Sequence, residues 1–83
     1  MANQNRFLLR NDFSKPLVLN IEPEGFLASL DAGDQVTVLN DFDTQPLTLE
    51  LTRSKSGDPI VTLWPGDGEL RVERDGISLL NSE

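Results

Sequence analysis

The sequence predicts an all-β fold, a small antiparallel sandwich or barrel of seven to eight short strands. Apolar and polar residues alternate along most of the chain, whereas the spacing typical of an amphipathic helix does not recur. All five prolines lie at the edges of the alternating segments, where a missing backbone N–H does not interrupt a sheet. No linker or low-complexity stretch divides the 83 residues, so we expect a single all-β domain over residues 1–83.

Four segments alternate most clearly and predict strands: Leu17–Ile21, Gln35–Leu39, Leu47–Thr52 and Glu69–Glu73. A weaker pattern predicts four more: Phe7–Arg10, Phe26–Leu30, Ile60–Trp64 and Ile77–Leu80. The segment Pro23–Leu30 also fits one helical turn. Asp75-Gly76 predicts a tight hairpin turn, because both of its residues tolerate the positive φ angles of a type I′ turn.

Three hairpins predict the strand register of the C-terminal half. Their closing pairs are Arg53 with Pro59, Trp64 with Glu69, and Arg74 with Ile77. Together with the two earlier strands, this register predicts a core of Leu19, Ile21, Val36, Val38, Leu49, Leu51, Val61, Leu63, Leu70 and Val72. On this basis Leu49→Ala is expected to cost about 2–5 kcal/mol.

The same register predicts an apolar patch on the solvent side of the sheet. Trp64, the only tryptophan, lies beside a Gly-rich loop and within reach of Arg71 for a cation–π contact. Ile60 and Leu80 extend the patch. Two interpretations stay open: Trp64 closes the core from the rim of the sheet, or it anchors a partner. The predicted interaction residues are therefore Trp64, Ile60, Arg71 and Leu80.

Composition excludes several kinds of chemistry. The chain has no His and no Cys, which removes imidazole bases, thiolate nucleophiles and the usual ligands of zinc, copper and haem. We therefore expect no enzymatic activity, no catalytic residues, no cofactor and no metal site. With 37% hydrophobic residues, the chain is also not expected to wall a ligand cavity of roughly 300–1,000 Å³.

Pairs of acidic residues keep a second class open, a small ligand- or calcium-binding β domain. These pairs are Asp31 with Asp34, Asp41 with Asp43, and Asp67 with Glu69. Calcium requires six to eight oxygen ligands, and none of these runs has the spacing of an EF-hand loop. Asp is also a favoured turn residue, which explains the pairs without a metal.

The net charge of the chain indicates which partners to expect. Seven basic against fourteen acidic residues give a net charge of −7, so neither nucleic acid nor an anionic membrane surface is an expected partner. No apolar stretch of signal-peptide length follows the polar N-terminal residues, and a secreted domain of this size would usually need disulfides, so a cytoplasmic protein is expected. The expected function is a non-catalytic protein-interaction or self-association module, with an unknown protein partner or a weak homodimer.

Several turn motifs carry a family resemblance. The chain contains Ile21-Glu-Pro-Glu-Gly25, then Leu30-Asp-Ala-Gly-Asp34, and later Val72-Glu-Arg-Asp-Gly76. This order resembles small uncharacterised bacterial all-β proteins, which have an Ile-x-Pro-x-Gly, a Leu-x-x-Gly-Asp/Glu and an Asp-Gly pattern. The resemblance spans roughly 17–80 and implies an all-β fold in a bacterial protein; it implies no activity.

Overall fold

The computed structural model describes residues 3–79, and their regular structure is entirely β. The strands are β1 (Asn3–Arg10), β2 (Leu17–Ile21), β3 (Phe26–Leu30), β4 (Gln35–Phe42), β5 (Thr48–Arg53), β6 (Pro59–Trp64), β7 (Glu69–Arg74) and β8 (Ile77–Ser78). They form two four-stranded sheets rather than a closed barrel: sheet A in the order β1-β4-β7-β8 and sheet B in the order β3-β2-β6-β5. The all-β prediction is confirmed. The helical alternative for Pro23–Leu30 is wrong, because this segment contains a turn and then β3.

Strand direction differs from the prediction at one place. The other pairings in the described residues are antiparallel, but β2 and β6 run parallel at the centre of sheet B. The cause lies in the two hairpins of this sheet. β2 is the first strand of its hairpin with β3, whereas β6 is the second strand of its hairpin with β5. The hairpins meet through these two strands, which therefore point the same way.

Two of the three predicted hairpins are confirmed. Arg53 pairs with Pro59, which places Leu51 opposite Val61 as expected. Arg74 pairs with Ile77 around Asp75 and Gly76, whose φ angles of 52° and 79° match the predicted turn. In both cases a short turn fixes the register of the strands on either side.

The third predicted hairpin, between Trp64 and Glu69, is wrong. β6 belongs to sheet B and β7 to sheet A, so the loop between them crosses from one sheet to the other. The prediction failed because inward-facing residues alternate in the same way whether two strands are neighbours in one sheet or belong to different sheets that share a core. Periodicity identifies the buried face of a strand but not its neighbour.

Both sheets contribute to one hydrophobic core. Seven of the predicted core residues are buried in it: Leu19, Ile21, Val36, Val38, Val61, Leu63 and Val72. Leu70 packs against it while partly exposed, and Leu17 and Leu30 join it although the predicted set omitted them. Leu49 and Leu51 are the errors, with 39% and 74% of their surfaces exposed. They point to the core side of sheet B, but β5 is an edge strand and its inner face is not covered.

The chain crosses between the sheets four times within the described residues, twice at each end of the strands. At one end the β1–β2 and β3–β4 crossings meet at Asn11, which is buried. Its side-chain amide donates to the carbonyls of Lys15 (2.8 Å) and Leu30 (3.0 Å), and its backbone carbonyl accepts from Gly33. Asn11 thus fixes both crossings at this end.

The exposure of β5 leads to a prediction that differs from the sequence-based one. Leu63→Ala should lower the free energy of unfolding by about 2–5 kcal/mol, because Leu63 is fully buried. Leu51→Ala should change it by about 0.5 kcal/mol or less, because most of this side chain is in solvent. Urea unfolding followed by circular dichroism measures both. Equal losses in the two variants would contradict the exposed inner face of β5.

Candidate interaction surface around Trp64

The face of sheet B turned away from the core carries the strongest candidate site, which we call the Trp64 face. Its apolar residues are Val18, Leu27, Ile60 and Trp64, and its polar residues are Asn20, Ser29, Thr48, Glu50, Thr52 and Thr62. Alternation along the strands produces this face, because each of these residues neighbours one that points inward. Trp64, for example, directly follows the buried Leu63.

Trp64 is held at the surface. Its side chain is 43% exposed, and its indole Nε1 donates to a carboxylate oxygen of Glu50 on the adjacent strand, at 3.3 Å. Ile60 lies on the same face, half-buried and level with Val18 of β2. Thr62 between them is buried, flanked by Asn20 and Glu50. The position of Trp64 on the outer face favours the anchor interpretation over closure of the core.

The structure separates the predicted site residues. Trp64 and Ile60 share the Trp64 face, whereas Arg71 lies in β7 of sheet A, opposite Leu39 and on the outward side of that sheet. The predicted cation–π contact is therefore wrong, and Arg71 instead lies 3.9 Å from Glu73. The error comes from the predicted hairpin between Trp64 and Glu69, which places β6 and β7 side by side. Leu80 lies outside the described residues.

An open groove lies beside the loop that follows Trp64, with a volume of about 560 Å³. Its apolar lining comes from Ile21, Phe26, Pro65 and Leu70, and its charged lining from Glu22, Glu24, Glu69 and Arg71. This groove is an open surface feature and not a cavity walled by the core, so the expectation that the chain walls no ligand cavity stays a prediction. The groove does not need an enlarged core, because residues of both sheets and of the loop after Trp64 form its walls.

Asn40 anchors the loop that follows Trp64. This buried residue ends the inward series of β4, after Val36 and Val38. Its amide donates to the carbonyls of Pro65 (3.2 Å) and Glu69 (2.9 Å), and its side-chain oxygen accepts from Leu47 N–H (2.9 Å). It therefore fixes both crossings at this end of the strands, as Asn11 does at the other. A polar residue at an inward position was the signal in the sequence that could have revealed this role.

Asp67 provides a second anchor for the same loop. Its carboxylate accepts from the backbone N–H groups of Asp43 (3.0 Å), Thr44 (2.9 Å) and Gln45 (3.0 Å), and from the Thr44 hydroxyl (2.8 Å). Gly66 and Gly68 allow the close approach, since an added Cβ would collide with the carbonyls of Gln45 and Asp41 respectively. The loop after Trp64 is thus tied to the segment between β4 and β5.

These hydrogen bonds also set the protonation of Asp67. The N–H groups of Thr44 and Asp43, followed by the Thr44 hydroxyl, hold the pKa of the Asp67 carboxyl well below its usual range. Asp58 behaves similarly, because hydrogen bonds from Lys15 and Ser56 lower its pKa. Both carboxylates are therefore ionised at neutral pH and already hydrogen-bonded within the chain.

Two of the acidic pairs lie side by side, since Asp41 is opposite Glu69 and the Asp43 N–H donates to Asp67, but in residues 3–79 no group of three or more acidic residues is arranged to hold a metal ion. Asp41 instead accepts from Gln4 (2.9 Å), and Asp67 is surrounded by N–H donors. Each of these hydrogen bonds occupies a carboxylate lone pair that a cation would otherwise use. Among the same residues, no helix has the length and apolar character needed to cross a membrane.

Comparisons of the chain with protein-family models, with curated proteins and with solved structures found no match. The resemblance to small bacterial all-β proteins stays a prediction.

The Asp67 contacts predict a specific response to acid. A carboxyl whose pKa is lowered by folding stabilises the protein above the pKa of the unfolded chain, about 3.9, and this contribution is lost as pH falls toward the folded-state pKa. Asp67→Asn should therefore unfold at a lower temperature than the wild type at pH 7, with a difference that narrows below about pH 4. Asp31→Asn, the same charge change at an exposed turn residue, is the control. A melting-temperature difference that is constant with pH would contradict the anchor.

Calcium should not affect stability. A ligand that binds only the folded state raises the melting temperature. Because we expect no calcium to bind, the melting temperature should be the same within about 1 °C in chelator and in millimolar calcium. Differential scanning calorimetry measures this, with magnesium as a control for ionic strength. A rise of several degrees with calcium only would favour the ligand-binding alternative, and Asp41→Asn and Asp43→Asn would then locate the site.

Proposed function

We propose that this chain is a non-catalytic protein-interaction module that binds through the Trp64 face. The observation that carries the proposal is a tryptophan held at the surface, with Ile60, Val18 and Leu27 on the same face. Aromatic anchors with apolar neighbours dominate the binding energy of protein interfaces. The absence of His and Cys from the sequence supports a non-catalytic function.

The charges around the Trp64 face indicate what kind of protein could bind there. The carboxylates of Glu22 and Glu50 border the apolar residues, and Glu22 is within hydrogen-bonding distance of Asn20 on the same face (3.1 Å). No Lys or Arg of the sheet B strands points to this side. The complementary surface therefore presents apolar side chains flanked by Lys or Arg. We propose a basic protein partner in the cytoplasm.

A second copy of the chain is the competing partner. Two molecules with a net charge of −7 repel each other, and pairing of two Trp64 faces would bring Glu22 and Glu50 of both copies together. The two partners respond to salt in opposite ways. Added salt screens attraction to a basic protein and weakens it, whereas it screens repulsion between two acidic copies and strengthens a homodimer.

The proposal includes a β-sandwich, with the inner faces of sheets A and B stacked on each other. Its support is the shared core, to which Leu19 and Leu63 of sheet B and Val38 and Val72 of sheet A all belong. Arg74 of β7 adds a link between the sheets, because it donates to the Ser29 carbonyl of β3 at 3.3 Å. In this arrangement the Trp64 face is the side of sheet B that is turned toward solvent.

Trp64→Ala tests the function. Emission from Trp64 in the free chain should be red-shifted and quenched by acrylamide, since much of the indole is in solvent. Trp64→Ala should weaken binding to a partner isolated on the immobilised chain by roughly tenfold or more, with little change in melting temperature. Leu8→Ala, an exposed leucine on the outer side of sheet A, is the matched control.

Two results would contradict the proposal. One is a captured partner that binds the wild type and Trp64→Ala equally well. The other is sedimentation showing only a homodimer that tightens with salt, which would assign the face to a second copy.

A further inference from the structure

The edge strand β5 shows how a partner would be recognised. Leu51, with 74% of its surface exposed, is the most exposed of the large hydrophobic side chains in residues 3–79. It faces the core side of sheet B, opposite the buried Val61. The six residues of β5 are all exposed, and the strand contains no proline. Natural sheets protect an edge with charges, proline or bulges; of these β5 has the charges of Glu50 and Arg53, so a strand that carries complementary charges can pair with this edge.

A second groove lies directly under this edge, with a cavity volume of about 280 Å³. Leu9, Phe13, Leu17, Leu51 and Val61 supply most of its lining, and no acidic residue contributes to it. Phe13 is itself 57% exposed. The space therefore suits apolar side chains that enter from a strand placed beside β5.

The charges of β5 differ between its two faces. Glu50 points to the Trp64 face, whereas Arg53 points to the groove side, opposite Pro59. Arg53 forms no ion pair within residues 3–79, and the nearby cations Arg10 and Lys15 are already paired with Asp12 and Asp58 at 3.1 Å. Side chains on either side of a strand alternate, so a partner strand meets Glu50 and Arg53 on opposite faces.

We propose that an extended segment of a protein partner adds to sheet B as a strand antiparallel to β5. It places apolar side chains opposite Leu49 and Leu51, a Lys or Arg opposite Glu50, and an Asp or Glu opposite Arg53. Backbone hydrogen bonds to the free edge give affinity, and the alternating side chains give specificity. The segment would lie next to Thr48 and Glu50, at the border of the Trp64 face. This inference rests on the proposed function and defines the partner's recognition sequence.

Two synthetic peptides of identical composition and net charge test the charge order. Ac-Ser-Glu-Thr-Val-Lys-Val-Ser-NH2 matches β5 in the antiparallel direction, and Ac-Ser-Lys-Thr-Val-Glu-Val-Ser-NH2 exchanges its two charged residues. Titration into the ¹⁵N-labelled chain should give saturable amide shifts at 48–53 with the first peptide, and roughly tenfold weaker binding with the second. Equal affinities, or no saturation by either at about 1 mM, would overturn the proposal.

Variants of the chain separate this inference from the proposed function. Leu51→Lys puts a charge at the edge and should weaken binding of the first peptide by roughly tenfold, whereas Leu8→Lys, on the edge strand of sheet A, should not. A protein partner that is lost with Trp64→Ala but kept with Leu51→Lys would overturn strand addition and leave the proposed function standing. A homodimer abolished by Leu51→Lys would assign the edge to a second copy and overturn the peptide partner.

Discussion

The arrangement of this chain depends on the buried asparagines at the two ends of its strands. Each holds two sheet crossings, Asn11 at one end and Asn40 at the other. A buried amide that loses its partners costs about 1–3 kcal/mol for each unsatisfied group, which is large beside the stability of a domain of this size. The hydrophobic core cannot determine where the chain crosses between the sheets, because apolar contacts are non-directional. The core supplies much of the stabilisation, and the asparagines determine where the chain changes sheet.

This division explains how far the sequence could predict the structure. Strand positions and inward faces follow from alternation, which is why seven core residues and two hairpin registers are confirmed. The neighbour of each strand does not follow from it, so alternation wrongly predicts β6 and β7 in one sheet, with Arg71 beside Trp64. Asp67 is a second example of a contact that the sequence pattern does not predict. Its position in a Gly-rich turn was visible, but the four hydrogen bonds that give it a function come from residues more than twenty positions away.

The position of the candidate site depends on the crossing between β6 and β7, which the sequence did not predict. Because the loop 65–68 leaves sheet B immediately after Trp64, the indole lies at the end of its strand with no hairpin partner on the next strand of the chain. Asn40 and Asp67 hold that loop to the segment 43–47, which leads into β5. The same contacts therefore position Trp64 and the start of the β5 edge. Hydrogen bonds that restrain a surface in the free chain lower the entropic cost of binding a partner.

The exposed inner face of β5 is best understood as a consequence of chain size. A chain of 83 residues buries only part of its apolar surface, and here the core ends at Val61 and Leu63 of β6. Leu49 and Leu51 remain on the core side without cover, although Thr or Lys at the same positions would suit a solvated edge better. Because they are exposed, Leu49 and Leu51 contribute little to the stability of the isolated chain. A strand added beside β5 would bury both leucines and complete the inner face of sheet B, so side chains that add little to the stability of the free chain would add apolar burial on binding.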